Sequence, residues 1–363
     1  MKIVIAATSA GGGHMKAAEA IYNYFRSQDA ELELTLVDVL EESLLLFGDF
    51  YSRGYSFMVN HAQWLWRVIF HITSQKNLQP ALNKVRTLHN RLNTKNFRQY
   101  LIEANADVVI STHYLPANQA SNLKKKKKIS SKLITVVTDF GVHPFWVYDQ
   151  TNWYALATDL SRDELLKQGV PKSKIKVTGI PIDPKFSQKF DKAALRKKLD
   201  LVTGQFTILV VTGSFGIGPI EEIVDLLQGR VQILAVCAKN EKLFSRLKTK
   251  NYPGVKVFGF VDNIDELMAV SDLIVTKPGG LSVAELLAME LAPVFISVIP
   301  GQEAQNVRIL GRYGIGKCAK NAREVSRIVD NYLRSPASLE KVRDQIRKMP
   351  RFNASQEIYR ALR

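Results

Sequence analysis

Eleven short apolar runs alternate with helix-forming segments along almost the whole chain, and few architectures accept that pattern. In the second half the runs are FTILVV (206–211), VQILAV (231–236), VKVFGFV (255–261), DLIVT (272–276) and APVFISV (292–298), with helical segments near 219–228, 240–248, 263–270, 281–290 and 303–313. Continuous apolar strands belong to parallel sheets covered on both faces, and the alternating helices supply the cover. The pattern predicts a doubly wound α/β domain. The first half repeats it less regularly as KIVIAAT (2–8), LELTLVDV (32–39), ADVVIST (106–112), KLITVVT (132–138), NWYALAT (152–158) and IKVTGIP (175–181). Between its second and third runs lies an insertion, about 41–104, that no single crossover helix accommodates. At 363 residues the chain exceeds what one core supports, and the prolines of PIDP break regular structure near residue 186. The expected division is an N-terminal domain 1–186, a C-terminal domain 187–345, and a terminal segment 346–363 that returns to pack on the first domain.

Open α/β sheets bind ligands at the carboxyl ends of their strands, and every candidate motif here follows a strand. SAGGGHMKAAEAI (9–21) places three glycines and His14 between a strand and a helix. Glycine runs are costly to order and serve sharp bends or close approach, while the helix start offers N–H groups and a dipole to an anion or polar group. The spacing matches neither the G-x-G-x-x-G fingerprint nor the P-loop, which disfavours a nicotinamide cofactor or an ATPase. His14 suits a general base that takes a proton from an attacking hydroxyl; the alternative is a histidine that caps or packs at the helix start.

TKPGGLSVAELLAM (276–289) is again strand, Gly-Gly, helix, and fits a diphosphate at the helix start. Within it, Ser282-x-x-Glu285 reads either as a capping box or as a ligand contact. VVTGSFGIGP (210–219) enters a helix with Pro219 near its first turn. PGQEAQN (300–306) supplies Gln302, Glu303 and Asn306, a polar set suited to sugar hydroxyls. Four such loops, three in one domain, predict a nucleotide site.

Fifty Lys and Arg against 34 Asp and Glu, formally +16, imply an anionic partner: nucleic acid, a membrane surface or phosphorylated substrates. Residues 61–132 concentrate the excess, with 13 basic side chains against Glu103 and Asp107. Beside them, eight of the 24 residues from Phe47 to Phe70 are aromatic. Rings next to basic residues suit an interfacial segment, with Tyr55, Phe57, Trp64 and Trp66 entering the headgroup region and Lys124, Lys125 and Lys126 of the lysine run meeting anionic lipids. The alternatives are rings that fill the N-terminal core, or a single-strand nucleic-acid platform. No RNA-recognition, KH or zinc motif accompanies them, and nucleic acid is not expected as a partner. Cys237 and Cys318 are isolated, which suits a reduced compartment, and no apolar stretch approaches 18 residues. Peripheral attachment at the cytoplasmic side of the cell membrane is the expectation.

Assembled, these segments resemble the inverting GT-B glycosyltransferases that include monogalactosyldiacylglycerol synthases, processive diacylglycerol glucosyltransferases and, more distantly, MurG-type enzymes of family 28. SAGGGHMKAAEAI is similar to the family's N-terminal glycine loop, STHYLPA (111–117) and VVTDFGVHPFWV (136–147) to its THxxxP and TDFxxHxxW segments, and VTGIPID (177–183) to its inter-domain junction. VTGSFGIGPI and KPGGLSVAELLAMELAPVFISVIPGQEAQN resemble its donor loops. The TDFGVHPFW segment favours the diacylglycerol branch.

The resemblance implies two Rossmann-like domains facing a central cleft, and inverting transfer of galactose or glucose from a UDP-sugar to diacylglycerol. In that reading His14 is the base. Gly213, Ser214 and Phe215 lie on the donor, Phe260 and Val261 flank uracil, Pro278, Gly279, Gly280 and Ser282 hold the diphosphate, and Glu285 takes the ribose. Gln302, Glu303 and Asn306 lie near the sugar, while Gly12, Gly13, His113, Asp139, His143 and Trp146 line the acceptor side. No metal or cofactor is implied. The rival readings are a UDP-sugar epimerase of similar shape, a MurG-like transferase with another lipid acceptor, and a non-catalytic lipid or nucleotide sensor.

Overall fold

The computed structural model of the chain describes residues 1–9, 12–42, 63–75, 79–350 and 353–363. It divides into two compact units, one of residues 1–183, 299–306 and 352–363, the other of residues 184–298 and 307–351. Each holds a six-stranded parallel sheet with helices on both faces.

The first sheet comprises β1 (Lys2–Ala7), β2 (Glu33–Asp38), β3 (Val108–Ser111), β4 (Lys132–Val136), β5 (Trp153–Leu156) and β6 (Ile175–Val177), in the order β2-β1-β3-β4-β5-β6. Successive strand residues point to opposite faces, and both faces of β1 are apolar. Val4 and Ala6 pack with Phe97, Leu101, Leu115 and Leu123 of the Lys95–Ala104 and Tyr114–Lys125 helices. Ile3, Ile5 and Ala7 pack with Ile21 and Phe25 of the Gly13–Gln28 helix and with Ile358. Each such side chain contributes about 1.5–3 kcal/mol when fully buried, which explains why these runs read as continuous rather than alternating.

The second sheet comprises β7 (Thr207–Val211), β8 (Gln232–Val236), β9 (Val255–Phe258), β10 (Leu273–Thr276), β11 (Ala292–Phe295) and β12 (Lys317–Cys318), in the order β12-β11-β10-β7-β8-β9. The two-residue β12 is exposed and escapes the apolar-run criterion. In each sheet the chain winds outward in two directions from a central pair. The switch points fall between β1 and β3 and between β7 and β10, and crevices at the carboxyl ends of such pairs are where ligands bind.

The boundaries shift from the sequence reading: residues 299–306 join the first unit, and the second runs to residue 351. The first segment of the first unit ends at Asp183. The Pro336–Arg347 helix stays with the second unit, tied by Arg343 to the Asp272 carbonyl (2.9 Å) and by Arg347 to Glu290 (2.8 Å). The Ala354–Arg360 helix instead lies on the Gly13–Gln28 helix, with Tyr359 edge-on to Phe25 and Arg363 bonded to Asp29 at 2.8 Å. Within the insertion the described residues form the helices Gln63–Ser74, Gln79–Asn93 and Lys95–Ala104; Tyr55 and Phe57 lie outside the described residues.

Candidate functional site

The switch point of the first sheet is occupied by His14. Gly12, with φ 75°, donates its N–H to the Ser9 carbonyl and turns the chain sharply into the Gly13–Gln28 helix, a conformation that glycine adopts without a Cβ penalty. His14 Nδ1 lies 3.0 Å from the Thr112 carbonyl, just beyond β3, and 2.7 Å from Thr138 Oγ1, just beyond β4. A carbonyl only accepts, so Nδ1 carries the proton and the lone pair sits on Nε2. Among the described residues Nε2 has no hydrogen-bond partner. Burial lowers the His14 pKa to about 4, leaving a neutral imidazole at physiological pH. Thr112 Oγ1 in turn donates to the His14 carbonyl at 2.9 Å. Three strand ends thus hold one ring in the tautomer a general base requires.

His113, His143 and Trp146, expected to line the acceptor side, are all buried. His113 caps the Tyr114–Lys125 helix, its Nδ1 accepting from Leu115 N–H, and its ring stands edge-on to His14 at 4.6 Å. His143 caps the short Pro144–Trp146 turn through Phe145 N–H. Trp146 lies 6.2 Å from the His14 ring. His113 and Trp146 pack against the His14 ring, while His143 packs against Phe70 and Phe145. Burial and the nearby Arg86 cation keep both buried histidines neutral, with His143 lowered to about 3.

Asn306, expected near the sugar, is engaged within the first unit. Residues 299–306 belong to the first unit, and Asn306 is fully buried there. Its Oδ1 accepts from Phe140 N–H (2.8 Å) and Gly141 N–H (3.2 Å), while Nδ2 donates to Asp139 Oδ1 (3.1 Å). It clamps the 139–141 turn rather than presenting an amide to a sugar. Glu303 likewise accepts from Ile299 N–H at 2.8 Å, and Gln302 is half-buried in the same unit. Burial raises Asp139 to about 6 against the opposing Asn306 bond. Asn306→Ala strips two buried N–H groups of their acceptor at about 1–3 kcal/mol each. Thermal melting should show a loss of several degrees together with reduced turnover.

The pH dependence of stability follows in sign. His14 and His143 take up protons near 6.5 when unfolded but only near 4 and 3 when folded, so their contribution is complete above 6.5 and lost as pH falls through that window. Asp139 opposes them, because between about 4 and 6 the folded state holds a proton the unfolded state lacks. His14, His143 and His113 together outweigh one carboxyl, and Tm should be lower at pH 4.5 than at pH 7, by on the order of 5 °C.

In the second unit the loops beyond β7, β9 and β10 share the carboxyl edge of the sheet. Gly279 is the N-cap of the Gly280–Ala288 helix and no side chain caps it. Ser282 therefore sits inside the first turn, and the capping-box alternative for Ser282 and Glu285 is ruled out. The first intrahelical bond is Val283 N–H to the Gly279 carbonyl, so the N–H groups of Gly280, Leu281 and Ser282 precede the ladder. Pro278 enters this helix and Glu285 is buried on it. Beyond β7 Gly213 has φ 84°, and Ser214 and Phe215 are exposed, Phe215 by 58%; beyond β9 Phe260 is 61% exposed and Val261 half-buried. A helix start with no side-chain cap, on the same sheet edge as two exposed rings, suits a diphosphate joined to an aromatic base. Among the described residues no cluster of three His, Cys, Asp or Glu side chains is disposed to hold a metal ion.

Comparison with known proteins matches this arrangement. Residues 14–182 match the monogalactosyldiacylglycerol (MGDG) synthase family, and residues 207–356 match the glycosyltransferase family 28 C-terminal domain. The chain thus carries a region matching MGDG synthases followed by one matching the family 28 C-terminal domain. A processive diacylglycerol beta-glucosyltransferase of Bacillus pumilus is 27% identical over 98% of this chain and 93% of its own length. MurG of Acinetobacter baumannii superposes with a TM-score of 0.64 at 14% identity, covering 99% of this chain and 98% of that one. The UDP-GlcNAc 2-epimerase of Methanocaldococcus jannaschii superposes with 0.60 at 14% identity, covering 100% and 99%. The likeness to both an epimerase and a transferase shows the GT-B fold alone and does not choose between them.

The two threonines that fix the His14 tautomer were not singled out from the sequence. Their only signal was position, since each directly precedes a motif residue, Thr112 before His113 and Thr138 before Asp139. The proposed membrane features are also rearranged. Trp64 (72% exposed), Val68 and Ile72 form an outward apolar stripe on the Gln63–Ser74 helix, with Leu65 beside it, while Trp66 is half-buried. The other face is anchored by Phe70, whose ring lies 4.6 Å from His143 at the carboxyl edge of the sheet. The lysine run lies elsewhere, at the amino edge, one helix length or about 18 Å away. There Lys124 donates to the Ser131 carbonyl and to Asn152 (2.9 Å), and Lys125 pairs with Asp149. Lys124, Lys125 and Lys126 are thus not on the face that carries His14.

Proposed function

We propose that the protein transfers glucose from UDP-glucose to the free hydroxyl of diacylglycerol with inversion, giving a β-glucosyl lipid. The observation that carries this reading is the neutral His14 imidazole with Nε2 unpartnered among the described residues. Nε2 takes the proton of the lipid hydroxyl as its oxygen attacks the anomeric carbon. The C–O bond to UDP breaks, and the departing diphosphate charge is met by the N–H groups and dipole at Gly280, Leu281 and Ser282 rather than by a metal ion. Phe215 and Phe260 offer faces for the uracil, and Glu285 serves the ribose. Asp139, held by Asn306, shapes the acceptor side. What supports glucose over galactose is that the full-length relative, which includes the donor-binding half, is named a glucosyltransferase, whereas the MGDG synthase match ends at residue 182.

Incubation with UDP-glucose or UDP-galactose and diacylglycerol vesicles, followed by lipid analysis, tests the reading. A glucosyl lipid is expected. UDP release without glycolipid, or interconversion of the UDP-sugar, would overturn it in favour of hydrolysis or epimerisation.

The reading also takes the protein to the membrane surface, where its acceptor resides; no helix among the described residues is long and apolar enough to cross a membrane. The Trp64, Val68 and Ile72 stripe enters the headgroup region. Val68→Asp should weaken vesicle sedimentation by about tenfold, on the order of 1.4 kcal/mol. Neutralising Lys125 to Lys128 together should change it far less; the reverse ranking would assign docking to the lysine run.

A further inference from the structure

The second unit contains a cavity that the proposed reaction does not use. It measures about 640 Å³ and lies between the end of the Gln302–Arg312 helix, the start of β12, and the helices Ala322–Arg334 and Pro336–Arg347. This volume is in the range of small-molecule sites, which run roughly 300–1,000 Å³. Gly314 and Lys317 stand at the amino end of β12, whereas the donor loops follow the carboxyl ends of β7, β9 and β10. The cavity is therefore at the other edge of the same sheet.

Its chemistry is one-signed. Arg312, Lys317 and Lys341 line it, and no carboxylate does. The acidic groups nearby are committed elsewhere: Glu340 and Asp344 to Arg347, and Asp330 to Arg230. Among the described residues the three lining cations have no ion-pair partner. The floor is apolar, formed by Ile328 and Val342 with the Tyr332 ring. Tyr332 is only 4% exposed, and its hydroxyl is buried without a hydrogen-bond partner among the described residues. An unmet buried hydroxyl costs about 1–3 kcal/mol. Burial raises its pKa, so it stays protonated and able to donate.

We propose that this cavity is a second ligand site, taking a small molecule with a phosphate group and an apolar body. The phosphate meets Lys317, Lys341 and Arg312, and the body lies over Ile328, Val342 and the Tyr332 ring. Three exposed cations around a concave apolar floor favour an anion with an apolar portion over a purely polar one.

Calorimetric titration of the full chain with monohexyl phosphate, inorganic phosphate and hexan-1-ol tests this. Saturable binding of hexyl phosphate is expected, unaffected by UDP. The double variant Lys317→Glu/Lys341→Glu should weaken it at least tenfold. Tyr332→Phe should leave binding intact and Tm unchanged or higher, because the variant keeps the ring and removes an unmet polar group without opening a cavity. Equal binding of inorganic phosphate supports the site with a free phosphate compound as its ligand. Preference for the hexyl ester supports it with a lipid-like phosphate. No saturation by either anion up to about 10 mM, well beyond the range of useful affinity, overturns the proposal. So does binding that survives charge reversal or is displaced by UDP.

Discussion

Replacing His14 with alanine lowers kcat by about 10²–10⁴, the usual contribution of a positioned general base, and leaves UDP affinity unchanged. The two effects separate because the imidazole belongs to the first unit and the diphosphate-binding helix start to the second. The pH profile adds a sharper criterion. A base lowered to about 4 is already neutral at pH 5, so His14 imposes no acid limb near 6.5 on kcat/KM. A limb near 6 would report Asp139, raised to about 6 by burial, and should move when Asn306 is changed. Full turnover in His14→Ala would remove the residue from the chemistry. Thr138→Val, which removes a hydroxyl 2.7 Å from Nδ1 but keeps the Thr112 carbonyl, should produce a smaller loss.

Gly216→Ala disrupts the loop beyond β7 and weakens UDP binding at least tenfold. A Cβ at Gly216 would stand 2.0 Å from the Cys237 carbonyl oxygen and 2.9 Å from its carbon, both backbone atoms that cannot rotate away, and the residue has φ 58°. The loop must move from β8, releasing the Asn240 bond to the Gly216 carbonyl (3.1 Å). A cost of about 3 kcal/mol or more is expected from the clash and the left-handed backbone together. Gly213→Ala is the control. Gly213 has φ 84° but nothing within 4 Å of a Cβ, so only the conformational cost of about 1–2 kcal/mol remains. Equal losses in Tm and UDP affinity for the two variants would show that backbone strain, not the approach to Cys237, controls this loop.

The parts of the molecule that were legible beforehand obey short-range rules. Strand residues apolar on both faces require helices above and below, so Ile3 to Ala7 and Ile208 to Val210 announced parallel sheets without reference to anything distant. Glycine loops at strand ends marked the ligand-facing edge for the same reason, because a sharp entry into a helix is a local backbone event. Distant pairings were not available in this way. The tautomer of His14 depends on Thr112 and Thr138, which lie 98 and 124 residues away and become neighbours only through the order β1-β3-β4. Asn306 reads as a sugar ligand from its own heptapeptide, yet its amide is consumed by a turn 166 residues earlier. Ser282 and Glu285 have capping-box spacing, but the helix begins at Gly280 and leaves its first turn open. The lysine run and the aromatic helix are both near the basic region of the chain, yet lie at opposite edges of one sheet, because a helix following a strand carries the chain back to where the strand began. Sequence determined which segments form strands and helices and where their ends bend. Tertiary structure decided which of those ends share a site, since that depends on strand order, and strand order is set by packing between segments far apart in the chain.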